Sequence, residues 1–291
     1  MKNKIYKPIF IVGCGRSGTT IFYNTLAWHS DLAWISYYSN QFYTRMPIIA
    51  WLSNLYRSTL VNKIMKRRIP TPDEGYRLWN WCKPVLNSPN DPPLAEGDVK
   101  KADALRCHKM VHDHIRYSGK RRFINKNTRN SRRIAFLNQI FPDAKFIHVV
   151  RDVRAVVASF LNVDWYKNLT PWFIDPKNNK SRPGIEFDPV ELAAQLWERE
   201  VGKVIHDADC LASNQYIDLK YEDFTSDPIS TLKQVCDFCE LGWSLEFEEF
   251  IRSINIKNMN YRYKQRLTHK QIMQVKKSVS QFAGPLGYIL A

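Results

Sequence analysis

The chain has 291 residues, enough for one large α/β core with insertions, and its 44% hydrophobic and 24% charged residues exclude a disordered segment, a collagen-like repeat or a disulfide-stapled miniprotein. The charge balance is the outlier: 43 Lys and Arg against 28 Asp and Glu leave +15, a field that attracts anions such as nucleotides, nucleic acid or acidic membranes. No apolar run approaches the ~18 residues of a spanning helix, and MKNKIYKPIFIVG carries no leader-cleavage pattern. The expectation is therefore a cytoplasmic protein with no transmembrane segment and room for peripheral membrane contact.

In chain order, the apolar run Pro8–Gly13 reads as a strand, CGRSGTT as a loop, and the residues through Trp28 as a helix. A second short strand is expected at Leu32–Ser36. From Tyr37 to about Lys120 the sequence turns aromatic and basic, with Pro70, Pro72, Pro84, Pro89, Pro92 and Pro93 in it, and reads as an insertion over the core. Regular α/β character returns with a strand at Arg122–Asn125, a helix at Asn130–Phe141, a strand at Lys145–Val150 and a helix at Val153–Leu161. Residues Tyr166–Asp188 read as a mobile loop, Pro189–Ser213 as a long helix, and Gln215–Lys220 as a last strand before a helix pair and the basic tail YRYKQRLTHK. Apolar strands alternating with helices imply a parallel sheet. The whole chain, 1–291, is read as a single domain carrying an insertion at about 37–120. Its six cysteines are scattered, and the one CxxC, Cys236 and Cys239, falls on a helix-like stretch with no second pair, so packed and reduced thiols are expected there.

Two motifs carry chemistry. Gly13–Thr20, GCGRSGTT, has the glycine skeleton of a phosphate-binding loop between strand and helix, with Thr19 where a nucleoside triphosphatase places its lysine. Backbone N–H groups converging at a helix N-terminus hold a phosphate-like anion, and Arg16 supplies a cation from inside the loop. With neither that lysine nor an evident metal-holding Asp, the loop points to anion binding without magnesium-dependent hydrolysis and without a bound metal. The second motif, Val149–Phe160, places Arg151 at a strand end and Ser159 about two helical turns on, a pair able to grip a further phosphate. Arg151 paired merely with Asp152 is the plainer alternative.

Together, RSGTT at Arg16–Thr20 and RDVRAVVAS at Arg151–Ser159 resemble the sulfotransferases that use 3′-phosphoadenosine 5′-phosphosulfate (PAPS), most closely the bacterial and Golgi-type members. The approach FINKNTRNSRRIAFLNQIFPDAKFIHVVRD and the segment KYEDFTSDP extend the likeness, which covers roughly residues 8–36 and 121–242. The resemblance implies a three-layer α/β fold of the P-loop type with a central parallel sheet flanked by helices. It implies PAPS as co-substrate and assigns Arg16, Ser17, Gly18, Thr19 and Thr20 to the 5′-phosphosulfate, Arg151 and Ser159 to the 3′-phosphate, and Tyr221 to the adenine neighbourhood. Lys126, following the strand at Arg122–Asn125, is placed near the transferring group, while the neighbouring Lys120, Arg121, Arg122, Arg129, Arg132 and Arg133 are read mostly as solvated charges.

An acceptor hydroxyl needs a general base. The stretch after the second strand, WISYYSNQFY, lacks the glutamate that many Golgi-type relatives carry there. Glu74 is the first candidate, because the aromatic residues around it would desolvate its carboxylate. His112 is the reserve, and its i, i+4 partner His108 would suit zinc only with a third ligand that the sequence does not offer. The expected activity is sulfuryl transfer from PAPS to a hydroxyl or amine of a small-molecule, glycan or lipid acceptor, with a slight preference for a glycan or glycolipid. A P-loop kinase and a non-enzymatic polyanion-binding protein are the rivals; no aromatic–basic motif for nucleic acid is visible. The oligomeric state is open.

Overall fold

The structure, a computed structural model, describes residues 5–58, 70–84, 93–167, 187–279 and 281–288. Five parallel strands form one sheet in the order β2-β3-β1-β4-β5, with β1 at Ile9–Val12, β2 at Leu32–Trp34, β3 at Arg122–Lys126, β4 at Lys145–Val150 and β5 at Tyr216–Lys220. The central strand β1 is buried along its whole length, pairing Ile9 with Ile124 on one side and Ile11 with Ile147 on the other. Successive side chains of a strand leave by opposite faces, so both faces of β1 must be covered. Ile9 and Ile11 pack with Phe22, Leu26, Phe224 and Leu232, whereas Phe10 and Val12 pack with Trp79, Met110 and Phe136. That division creates the three layers.

The helices that follow the strands are α1 (Thr19–Leu26), α2 (Tyr37–Gln41), α3 (Met46–Leu52), α4 (Tyr76–Cys82), α5 (Lys101–Ser118), α6 (Ile134–Ile140), α7 (Val153–Phe160), α8 (Pro189–Ala208), α9 (Tyr221–Ser226), α10 (Pro228–Cys239), α11 (Leu245–Ser253) and α12 (His269–Ser278). Part of the expected insertion is layer material: α5 is the crossover that returns the chain from β2 to its parallel neighbour β3, and it buries Cys107, Met110 and Val111 in the core. The expected loop at Tyr166–Asp188 lies largely outside the described residues, which resume at Phe187. Cys236 and Cys239 face the core on α10, where burial pushes both thiols up to about 12.

Every strand points the same way, so the C-terminal ends of β1, β3 and β4 bring the Gly13–Thr20 loop, Lys126 and Arg151 to one edge. In open α/β sheets this is the edge where ligands bind.

Candidate active site

The loop after β1 is held in shape by two glycines. A Cβ on Gly13 would stand 2.4 Å from the Val149 carbonyl oxygen, and one on Gly18, which has φ +85°, would stand 2.3 Å from the Tyr221 ring. Ser131 ties the loop's start from the next layer, donating to the Gly13 carbonyl (3.1 Å) and accepting from its N–H (2.8 Å). Arg16 adopts φ +70°, and its Nε donates to Ser159 Oγ on α7 at 2.9 Å. Ser17 is wholly buried beside it, and its hydroxyl has no hydrogen-bond partner among the described residues.

Arg151 belongs to the same mouth. Its guanidinium donates to the Arg16 carbonyl (3.2 Å) and to Asn260 Oδ1 (2.7 Å), and its charge sits 4.2 Å from the centre of the Tyr221 ring. Asp152 is engaged elsewhere: Arg154 holds its carboxylate at 2.7 Å, so the plain neighbour pairing of Arg151 with Asp152 does not occur. Tyr221 is pinned between Gly18 and Arg151, and its hydroxyl donates to the Lys257 carbonyl at 3.1 Å.

Beside the loop opens a cavity of about 540 Å³ whose wall includes Arg16, Thr19, Thr20, Glu74, Lys126 and Trp165. Lys126 is 2% exposed and its ammonium pairs with Glu74 Oε1. The second oxygen of Glu74 accepts from the Tyr76 hydroxyl at 2.6 Å. Asn125 in β3 and Asn127 just beyond it both donate to the main-chain carbonyl of Glu74 and so fix its backbone. The carboxylate is thus met by the Lys126 cation and by the phenol of Tyr76, one of the aromatic residues the sequence placed around it. His108 and His112 are brought elsewhere. They line a separate cavity of about 780 Å³ with Ile5, Pro142 and Asp143, residues that precede β1 and β4 and so lie at the opposite end of the sheet. Among the described residues no group of three His, Cys, Asp or Glu stands close enough together to hold a metal ion.

A family model described as Sulfotransferase family matches residues 8–244, which is most of the chain. The chain belongs to the sulfotransferase family. Among curated proteins it is similar to omega-hydroxy-beta-dihydromenaquinone-9 sulfotransferase Stf3 of Mycobacterium bovis and of Mycobacterium tuberculosis, at 26% identity over 263 residues covering 81% of this chain. The chain spans 63% of the length of those relatives. Among solved structures it shares its fold with sulfotransferase STF9 from Mycobacterium avium (TM-score 0.65, 13% identity, 98% of this chain and 78% of that one) and with the sulfotransferase domain from the curacin biosynthetic pathway (TM-score 0.58, 16% identity, 99% and 100%).

Against this sulfotransferase fold, two departures from the sequence reading stand out. Arg122, Arg132 and Arg133, read as solvated charges, are 4%, 6% and 0% exposed. Arg122 bridges the Lys7 and Cys239 carbonyls, while Arg132 pairs with the buried Glu200 at 3.0 Å. A segment reading that sees a run of basic residues cannot see the carboxylates and carbonyls that distant segments bring to them. The second departure is a pair of residues that the motifs did not single out. Asn260, just before the basic tail, holds Arg151, and Glu222 accepts from the Asp152 N–H (3.1 Å), from Asn260 and from the Tyr288 hydroxyl (2.9 Å). Glu222 belongs to the quoted KYEDF stretch, which was the one available hint.

Proposed function

We propose that this sulfotransferase-family chain moves a sulfuryl group from PAPS to the hydroxyl of a hydroxylated lipid. The observation that carries the reading is the joining of the two motifs: Arg16 donates to Ser159 and Arg151 donates to the Arg16 carbonyl, so segments 135 and 143 residues apart build one basic mouth at the sheet's C-terminal edge. A donor with phosphates at both ends of its ribose suits two such adjoining grips, Arg16–Thr20 for the 5′-phosphosulfate and Arg151 with Ser159 for the 3′-phosphate. The glycines fit the same group, since the backbone at Gly13 and Gly18 leaves no space for a side chain and so keeps the loop tight at the start of α1.

In the reaction the acceptor oxygen bonds to sulfur as the bond from sulfur to the phosphate oxygen breaks, and 3′-phosphoadenosine 5′-phosphate (PAP) leaves with the electron pair. Charge spreads over the sulfuryl oxygens in transit, and fixed cations and backbone donors stabilise it. Lys126 and Arg16 occupy that role in the cavity. Glu74, at the same wall, takes the hydroxyl proton as general base. Support for a lipid alcohol comes from the apolar part of the wall, Phe160, Trp165 and Leu196, and from the acceptor in the mycobacterial relatives' name. The test is transfer of label from PAPS to hydroxylated prenyl and alkyl lipids, with glycans as the comparison. Labelled lipid is the expected product; labelled glycan with unlabelled lipid would move the acceptor back to sugars.

A further inference from the structure

Arg151 is held at three points. Its Nε donates to Asn260 Oδ1 (2.7 Å), its Nη1 donates to the Arg16 carbonyl (3.2 Å), and the Tyr221 ring covers one face at 4.2 Å. Nη2 has no hydrogen bond within the described residues. A guanidinium is a rigid planar fork, so fixing two of its nitrogens aims the third.

Asn260 lies 109 residues from Arg151 in sequence and reaches it because the chain is tied down on either side. The Tyr221 hydroxyl donates to the Lys257 carbonyl, Asn258 Oδ1 accepts from the Asn260 N–H at 2.9 Å, and the Arg154 guanidinium lies 4.8 Å from the centre of the Tyr263 ring. The Asn260 amide then meets two partners of opposite kind. Its oxygen accepts from Arg151, and its Nδ2 donates to Glu222 Oε1. An arginine only donates and an ionised carboxylate only accepts, so the reversed amide would lose both bonds. Glu222 Oε1 also accepts from the N–H of Asp152, the residue after Arg151, and its Oε2 accepts from the Tyr288 hydroxyl at 2.9 Å. The bonds close a ring that runs from the Arg151 side chain through Asn260 and Glu222 to the adjoining main chain.

We propose that Asn260 is a positioning residue for 3′-phosphate recognition: it holds Arg151 with the Nη2 edge free for the phosphate, and it acts through that arginine without touching the nucleotide. The proposal rests on the sulfuryl-transfer reading, whose donor site it completes. A phosphate gains more from a cation already fixed in place, because no arginine rotamer has to be frozen on binding. Among the side chains, Asn combines the acceptor that Arg151 needs with the donor that Glu222 needs at this short reach.

Calorimetric titration with PAP and with AMP, which differs from PAP only in lacking the 3′-phosphate, tests it. The wild type is expected to bind PAP at least about tenfold tighter than AMP, and Asn260→Ala to reduce that ratio roughly fivefold while changing AMP affinity little. Asn260→Ser, whose hydroxyl is too short to span both partners, should act in the same direction. In an Arg151→Ala background, Asn260→Ala should change the ratio no further, as expected of a residue that works through its neighbour. A ratio untouched in both Asn260 variants, equal weakening of PAP and AMP, or a loss that adds to that of Arg151→Ala overturns the positioning role. A wild type that binds PAP and AMP alike overturns the 3′-phosphate reading itself, and this role with it.

Discussion

Arg151 is the residue on which the nucleotide reading turns. Its position over Tyr221, with one nitrogen on the Arg16 carbonyl and another on Asn260, keeps a buried cation at the mouth of the loop. Burial lowers it from its ordinary value, with Tyr221 and Glu222 opposing that shift, so a bound phosphate would meet a poorly solvated guanidinium. Arg151→Ala is expected to cost on the order of 2–3 kcal/mol in PAP binding and Ser159→Ala about 1 kcal/mol, the net worth of charged and neutral hydrogen bonds. At the other end of the site, Glu74→Gln should lower turnover by roughly 100-fold and leave PAP affinity nearly intact, because a base acts on the acceptor. Single-turnover transfer with matched PAP titration checks this, and unchanged turnover would remove Glu74 from the role. The motif residues were legible because their spacing is local. Asn260 and Glu200 were not, since each acquires its role from a partner 109 or 68 residues away in sequence.

At the level of elements, β1, β3 and β4 were readable within a residue or so because their apolar runs are buried on both faces, as at Ile9–Val12. Helix ends were less so. The helix expected over Asn130–Phe141 begins as a 3₁₀ turn at Thr128–Arg132, capped by Asn127 accepting from the Arg129 N–H, and turns α-helical only at Ile134. The long helix stops at Ala208, five residues short of Ser213, although Leu211 beyond its end still packs on the core. Gly18→Ala asks a Cβ to share space with the Tyr221 ring at φ +85°, so it should destabilise the protein by at least about 1 kcal/mol and weaken PAP binding. Thermal melting with and without PAP reads both effects; a variant that melts and binds like wild type would mean the loop is not held against α9 in this way.

For the whole molecule, the +15 charge read from composition has several homes, one of them the open surface, where Lys109, Arg121 and Arg252 lie. Part of it is structural, as in Arg122 and Arg133, and part lines the cavity, so the net charge announced an anionic ligand without saying where. A buried histidine gives the pH dependence. His114 lies on α5 beneath the sheet, 2% exposed, with its ring nitrogens meeting the Met110 carbonyl and the Ser39 hydroxyl, and burial lowers it from 6.5 to about 4. The unfolded chain therefore takes up this proton near 6.5 while the folded one resists until about 4. The stability it confers is present above pH 6.5 and is lost as the pH falls toward 4, on the order of 3 kcal/mol in all. Urea unfolding at pH 7 and pH 4.5 should show that loss, reduced in His114→Gln; an equal slope in the variant would assign the acid sensitivity to other groups. Sulfuryl transfer should also persist in excess chelator, since Thr19 stands where a magnesium-dependent loop has its lysine.

The joined loop and Arg151–Ser159 motif is expected to bind a nucleotide with a 3′-phosphate. Calorimetric titration of wild type and Arg151→Ala with PAP and with ADP, which lacks that phosphate, tests it most directly. The wild type should bind PAP at least about tenfold more tightly than ADP, and Arg151→Ala should remove most of that difference while changing ADP affinity little. Equal affinity of the wild type for PAP and ADP, or an equal loss for both in the variant, would contradict it.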